Sequence, residues 1–278
     1  MLDFVYYPVS ALLLFWHNVF SFVVGDPSSG LAWSLAVIFL VFTVRLLLVR
    51  PFVKQVRTQR ITRQLQPEIK ALREKYSGDN RRLAEELQKL NKEHGVNALA
   101  GCLPALVQAP VFIGLFHVLR SFDRTGTAAH VPFLDATDPM SAAQNAVTPN
   151  YFFSAADVQS FLDAHVFGAP LSAVLTAAWS PAVLAVAVPL MVLSAVATFV
   201  TTRVSLAHQD PVVADTAQGR IMNRVMMVVP LGVLVGGPFV PVAILIYFLA
   251  NNAWTALQQW VVFRRLSAAE PADASGRG

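Results

Sequence analysis

An arginine set inside an apolar run constrains this chain more than any other feature. The stretch Phe42-Thr-Val-Arg-Leu-Leu-Leu-Val-Arg-Pro-Phe52 closes a run that begins at Leu31. At about 1.5 Å per helical residue, Arg45 lies roughly 7 Å inside the edge marked by Arg50. A charge at bilayer depth costs about 2.5–3.5 kcal/mol on insertion scales, and roughly 10 kcal/mol or more in simulations of a lone helix. A water-filled cavity, a polar partner or snorkelling must offset that cost. Snorkelling is the plain reading, because the arginine stem can reach the near headgroups. Against it, Arg50 and Lys54 already occupy that interface. A functional intramembrane arginine is the other reading.

The rest of the chain makes a membrane the only suitable solvent. Only 14% of the 278 residues are charged and 55% are hydrophobic, where a soluble domain has about 25% charged residues. Apolar runs at Leu31–Val49, Leu99–Leu119, Pro181–Val200, Ile221–Val235 and Val240–Leu257 approach the ~20 residues a spanning helix needs. They predict an all-α membrane protein with transmembrane segments over 31–50, 98–120, 173–201, 220–237 and 238–262. Segment 1–30 reads as an interfacial amphipathic helix over Pro8–Val24, with Ser10, His17, Asn18 and Ser21 in one arc; a true span is the alternative. Gly25-Asp-Pro-Ser-Ser-Gly30 ends it.

Between the first two spans, residues 51–97 predict a basic helical hairpin outside the membrane. From Arg50 to Gly95 there are twelve basic residues against six acidic. Ile61, Leu65, Ile69, Leu72 and Tyr76, then Leu83, Leu87 and Leu90, recur at helical spacing, with Ser77-Gly-Asp-Asn80 as the break. Pro67 is expected to kink or restart the first arm. Residues 121–172 form a connection with one basic residue, Arg124, and a possible short helix at Ala155–Phe167. Residues 202–219 are a polar loop. Arg264-Arg265 opens the tail 263–278, whose Ser267–Gly278 part is expected to be disordered. Basic residues stay in the cytoplasm, so the hairpin and the tail are expected inside and the 121–172 connection outside.

Motifs for ordinary chemistry are missing. There is no Gly-rich phosphate loop with a lysine and no His/Cys/Asp cluster at metal-ligand spacing. The expectation is therefore a non-enzyme without cofactor or metal. Cys102 is the only cysteine, so no intramolecular disulfide can form. His117 and the serines raise an intramembrane hydrolase, but no Gly-x-Ser-x-Gly motif accompanies them. The bland reading of His117, Asn251, Asn252, Thr255 and Gln258 is helix–helix hydrogen bonding.

Three ordered motifs carry a resemblance. Val44-Arg45-Leu-Leu-Leu-Val-Arg-Pro51 is followed by the basic hairpin and by Gly101-Cys-Leu-Pro-Ala-Leu-Val-Gln-Ala-Pro-Val-Phe112. Pro241-Val-Ala-Ile-Leu-Ile-Tyr247 then precedes Asn252, Thr255 and Gln258-Gln259. The set resembles the YidC family of membrane protein insertases, over about Pro8 to Gln259. The resemblance implies five core helices around a hydrophilic groove that opens to the cytoplasm and sideways to lipid. It implies that Arg45 gives the groove its positive charge while Gln108, Asn252, Thr255 and Gln258 hydrate its wall. Phe112, Phe116, Met226 and Val229 become candidates for the face along which an apolar span slides out. Nascent membrane proteins are the implied partners in a bacterial plasma membrane. Ribosome, a Sec-type translocon and anionic lipids are further ones, with no DNA and a single copy sufficing. Departures are the lack of the large extracytoplasmic domain of some relatives, Phe116 and His117 where aromatic hydroxyls are usual, and a short, weakly basic tail. The rival reading is a polytopic solute transporter or channel, for which paired broken helices in repeats are the signature; no convincing repeat is present.

Overall fold

The computed structural model describes residues 2–50, 53, 61, 64–95, 103–125, 140–177, 179–207 and 217–274. Lys54, Arg57, Arg60 and Arg63 of the basic segment, Gly101-Cys102 of the second motif, Asp135 and Asp138 of the connection, and His208 and Pro211 lie outside the described residues, as do the side chains of Arg264-Arg265. The helices are α1 (Asp3–Val24), α2 (Gly30–Leu47), α3 (Gln66–Lys75), α4 (Asn80–Glu93), α5 (Leu103–Arg120), α6 (Ala142–Val147), α7 (Ala155–Leu162), α8 (Pro181–Ala207), α9 (Ala217–Gly236) and α10 (Val242–Ala274). A two-stranded hairpin, β1 (His165–Val166) and β2 (Ala169–Pro170), follows α7. Among the described residues, four helices are long and apolar enough to cross a membrane: α1, α2, α8 and Arg220–Phe239, which is most of α9 with the turn after it.

Packing runs as an arc. α9 lies on α8, α8 on α10, α10 on α2, α2 on α1 and α1 on α5, while α5 also touches α10. Close approach is built in by glycine. A side chain at Gly114 of α5 would come within 3.1 Å of Val9 of α1, and one at Gly237 would overlap Met191 of α8. Outside the arc, α3 and α4 pair through buried Leu65, Ile69 and Leu90. Pro67 stands in the first turn of α3, and the Asp79 side chain caps α4 by accepting from the Arg82 N–H.

The connection after α5 is folded onto the helices. Phe122, Phe153, Val158, Phe161, Ala164, Ala169 and Leu171 join Trp33, Leu115 and Tyr247 in one core. Trp33 is fully buried and donates to the Ser160 hydroxyl at 3.0 Å; that hydroxyl donates to the Pro27 carbonyl at 2.6 Å. Arg124 donates to Asn145 Oδ1 and to the carbonyls of Thr148 and Pro149, tying the end of α5 to the stretch after α6. Burial pulls its guanidinium below the ordinary arginine range. Further on, the Ala173 and Leu171 carbonyls accept from the N–H groups of Val242 and Ala243. Those amides open α10 and have no partner within their own helix. The connection therefore completes a helix distant in sequence.

Three expectations change. The stretch Ala155–Phe167 is helical only to Leu162; beyond it the chain turns into the β1–β2 hairpin because Phe167 (φ +48°) and Gly168 (φ +81°) form its two-residue turn. Ser267–Gly278 is not irregular throughout, since α10 continues to Ala274, through a stretch whose alanines are strong helix formers. In α1 most of the polar arc faces the protein rather than water: Ser10 and His17 are buried, whereas Phe4, Phe15 and Phe22 are exposed. The reason is hydrogen bonding and stacking. His17 lies with Nε2 2.9 Å from the Pro27 carbonyl, and its ring stacks on Trp33 at 3.7 Å. Asn18 alone of the four is exposed.

Candidate functional site

Burial in this molecule is graded. Among the described side chains, burial on α2 ends at Val41 and on α10 at Ala250, and on α5 it sits at Gly114, Leu115, Val118 and Leu119. The end carrying the folded connection is dense. Away from it the described side chains of α2, α5 and α10 become half-buried or exposed while the helices continue. Arg45 stands one turn beyond the last buried residue of α2.

Its guanidinium turns toward α10. Nε and Nη2 donate to Asn251 Oδ1 at 3.1 and 2.7 Å, and Nη2 also donates to Thr255 Oγ1 at 3.2 Å. Asn251 and Thr255 can share one cation because i and i+4 stack on one helix face. Both acceptors are neutral. Among the described residues no carboxylate pairs with Arg45, so the site keeps a full positive charge that neutral dipoles hold in place. Such a charge attracts an anion more strongly than the same charge in water would, because the surrounding dielectric is lower.

The other expected groove residues divide between faces. Gln108 donates to the Tyr247 hydroxyl at 2.6 Å, linking α5 to α10, while its own Oε1 is buried with no hydrogen-bond partner. Asn252 accepts from Thr198 of α8 at 3.1 Å, on the far side of α10 from Arg45. Gln259, one turn pair further on, donates to the Thr201 carbonyl and the Ser205 hydroxyl. Gln258 accepts from Trp254 within α10. The structure thus joins Arg45 with Thr255, turns Asn252 toward α8, and leaves Gln258 on the face of Asn251 and Thr255, bonded to Trp254. Two residues bonded here stood in the sequence without this role: Asn251 only as a helix–helix hydrogen bonder and Tyr247 only as the end of a motif. The signal for Asn251 was its i, i+4 relation to Thr255.

The four sliding-face candidates sit on two helices. Phe112 and Phe116 of α5 are half-buried, and the Phe112 ring lies 5.4 Å from Phe248 and 5.7 Å from Tyr247. Met226 (41% exposed) and Val229 (50% exposed) belong to α9, most of whose surface is apolar and uncovered.

Comparison with known proteins identifies the family. The family described as 60Kd inner membrane protein matches residues 24–269. A membrane protein insertase YidC from Mycolicibacterium paratuberculosis (strain ATCC BAA-968 / K-10) is 50% identical over 272 residues, covering 94% of this chain and 75% of that protein. One from Mycobacterium tuberculosis (strain ATCC 25618 / H37Rv) is 48% identical over 281 residues, covering 98% and 75%. A third, from Mycobacterium leprae (strain TN), is 47% identical over 272 residues, covering 94% and 70%. The chain belongs to the YidC family of bacterial membrane protein insertases.

Proposed function

We propose that this insertase takes the polar parts of nascent membrane proteins into a groove charged by Arg45 and releases their apolar spans into lipid between α5 and α9. The observation that carries the reading is the Arg45 guanidinium, held by Asn251 and Thr255 and neutralised by no carboxylate among the described residues. The gradient of burial supports the same reading, since the loosely packed ends of α2, α5 and α10 leave room for water and chain. None of the reported relatives carries a transporter or channel name.

The energetics suit a device without nucleotide or catalysis. A client span gains roughly 6–12 kcal/mol over ~20 apolar residues, and each translocated charge costs about 2.5–3.5 kcal/mol. Burial of the span alone therefore carries only a few charges. A fixed cation lowers the cost for acidic tails.

In the membrane, the hairpin α3–α4 and the C-terminal tail lie in the cytoplasm and the folded connection lies outside, following the bias of basic residues. α5 and α10 complete five spans with α2, α8 and α9. α1 packs against α5 and α2, and its Trp16 reaches along α2 to donate to the Thr43 hydroxyl at 3.0 Å. Tyr6 stacks on His117 at 4.0 Å and His17 on Trp33; the two contacts are about 16 Å apart along α1, yet both fall at the connection ends of α5 and α2. The hairpin would meet ribosome or anionic headgroups.

The test is insertion of matched clients that differ only in tail charge, in cells depleted of their own insertase. Arg45→Ala should lose clients with acidic tails and spare neutral ones. Wild-type rates for both tails in Arg45→Ala would reduce Arg45 to a snorkelling residue.

A further inference from the structure

Two non-glycine residues hold positive φ among those described, Tyr151 (φ +52°) and Phe167 (φ +48°), and both belong to the connection. Bulky aromatic side chains rarely occupy that region. At Tyr151 the molecule supplies a reason. Its hydroxyl lies 2.6 Å from His117 Nε2 and its ring meets those of Tyr6 and Tyr7. At Phe167 it supplies none, because the side chain is 93% exposed at the tip of β1–β2. The two-residue turn there suits Asn, Asp or Gly. A phenylalanine in that place is unfavourable twice, in backbone and in solvation.

The tip has a defined place. A Cβ on Gly168 would sit 3.7 Å from Ala182 in the first turn of α8. Ala182 shares a helix face with Leu193, Val196 and Val200, which lie eleven to eighteen residues on and are each about half exposed. Trp179, 74% exposed, stands just before the same turn. At the other end of α8, Arg203 lies over the Phe199 ring at 5.3 Å. From Ala182 to Arg203 is at most about 32 Å, against a hydrocarbon core of ~30 Å. With Arg203 at one headgroup layer, Phe167 and Trp179 fall at the other. That is the depth where amphipathic rings anchor membrane proteins.

We propose that Phe167 and Trp179 form an aromatic anchor that seats the folded connection in the outer-leaflet headgroup zone and sets the depth of α8. The occupant is lipid, because the anchor continues the exposed apolar face of α8. The proposal rests on the reading of α8 as a span with its first turn outside.

The experiment uses the full chain, Cys102→Ser, in vesicles of phosphatidylcholine and phosphatidylglycerol. Nitroxide labels are placed singly by F167C, L193C and A143C, and collisions with oxygen and with a water-soluble nickel chelate are compared. The label at 193 should see oxygen, that at 143 nickel, and that at 167 severalfold less nickel than 143. Equal nickel access at 167 and 143 overturns the anchor. Protection at 167 in native membranes but not in pure vesicles makes the occupant a protein and also overturns it. Free nickel access at 193 removes the span beneath the proposal, a failure distinguishable from the first two. F167N keeps the turn, since Asn tolerates positive φ; with the label at W179C it should raise nickel access severalfold, and no change overturns the paired role.

Discussion

The two ends of the helix arc teach different lessons about the same kind of helix. At the connection end, Trp33, Phe122, Phe153 and Phe161 interlock, and the indole N–H, the Ser160 hydroxyl and the Pro27 carbonyl satisfy one another. At the other end, Arg45, Asn251 and Thr255 bond between half-buried faces, and Phe42 still packs on Trp254 although no described side chain of α2 or α10 is fully buried there. The first end is built for stability, since Trp33, Ser160 and Pro27 satisfy one another among interlocked aromatic rings. The second holds a cation between neutral polar acceptors on half-buried faces. Deleting a side chain should therefore have opposite consequences at the two ends.

Trp33→Ala should produce the largest effect on stability, about 3–5 kcal/mol, because it opens a cavity and leaves the Ser160 hydroxyl without its donor. Thermal unfolding in detergent checks it. A loss as small as that of a surface residue would mean that the connection does not brace α2.

Arg45→Ala, by contrast, should leave unfolding within about 1 kcal/mol of the parent, because its bonds are few and half-exposed, while abolishing insertion of acid-tailed clients. Arg45→Glu should be worse and Arg45→Lys should retain most activity, because a positive charge matters more here than a planar fork. Measured together, insertion and unfolding separate the two ends: a large stability loss in Arg45→Ala would break the contrast.

Replacing Ala71–Leu90 by a Gly/Ser linker should impair insertion with α2 and α5 still folded. The hairpin core of Leu65, Ile69 and Leu90 is separate from the core at the connection end. Full activity would make the hairpin a solvated spacer.

Asn251→Ala should have a smaller effect than any change at Arg45 itself. It removes the shortest acceptor and leaves Thr255, so acid-tail insertion should fall only in part. Sidedness sharpens the comparison without altering either end: in a Cys102→Ser background, an impermeant thiol reagent should reach S77C only from the cytoplasmic face and A143C only from outside. Labelling of A143C from the cytoplasm would invert the topology.

How much of this was legible beforehand depended on the range of the signal. The apolar run ending at Arg45 and the helical spacing of Ile69, Leu72, Leu87 and Leu90 are local patterns, and α2, α3 and α4 form there. The four polar residues of α1 were legible as one arc, but not the direction that arc would face, because amphipathic pattern says that two sides differ and not which solvent each meets. In span five the sequence displayed Asn251, Asn252, Thr255, Gln258 and Gln259 without sorting them.

By itself the sequence determined that this chain is a membrane protein, roughly where most of its helices run, and that one of them carries Arg45 inside an apolar run. Hydropathy and periodicity decide those matters within a window of some twenty residues. Only the tertiary structure decided that Asn251 and Thr255 hold Arg45 while Asn252 and Gln259 face α8, and that the connection closes one end. The physical reason is that a hydrogen bond has a direction. A residue type states how many bonds a side chain can make, whereas the partner at 2.7 Å is 206 residues away and is chosen by how the helices cross.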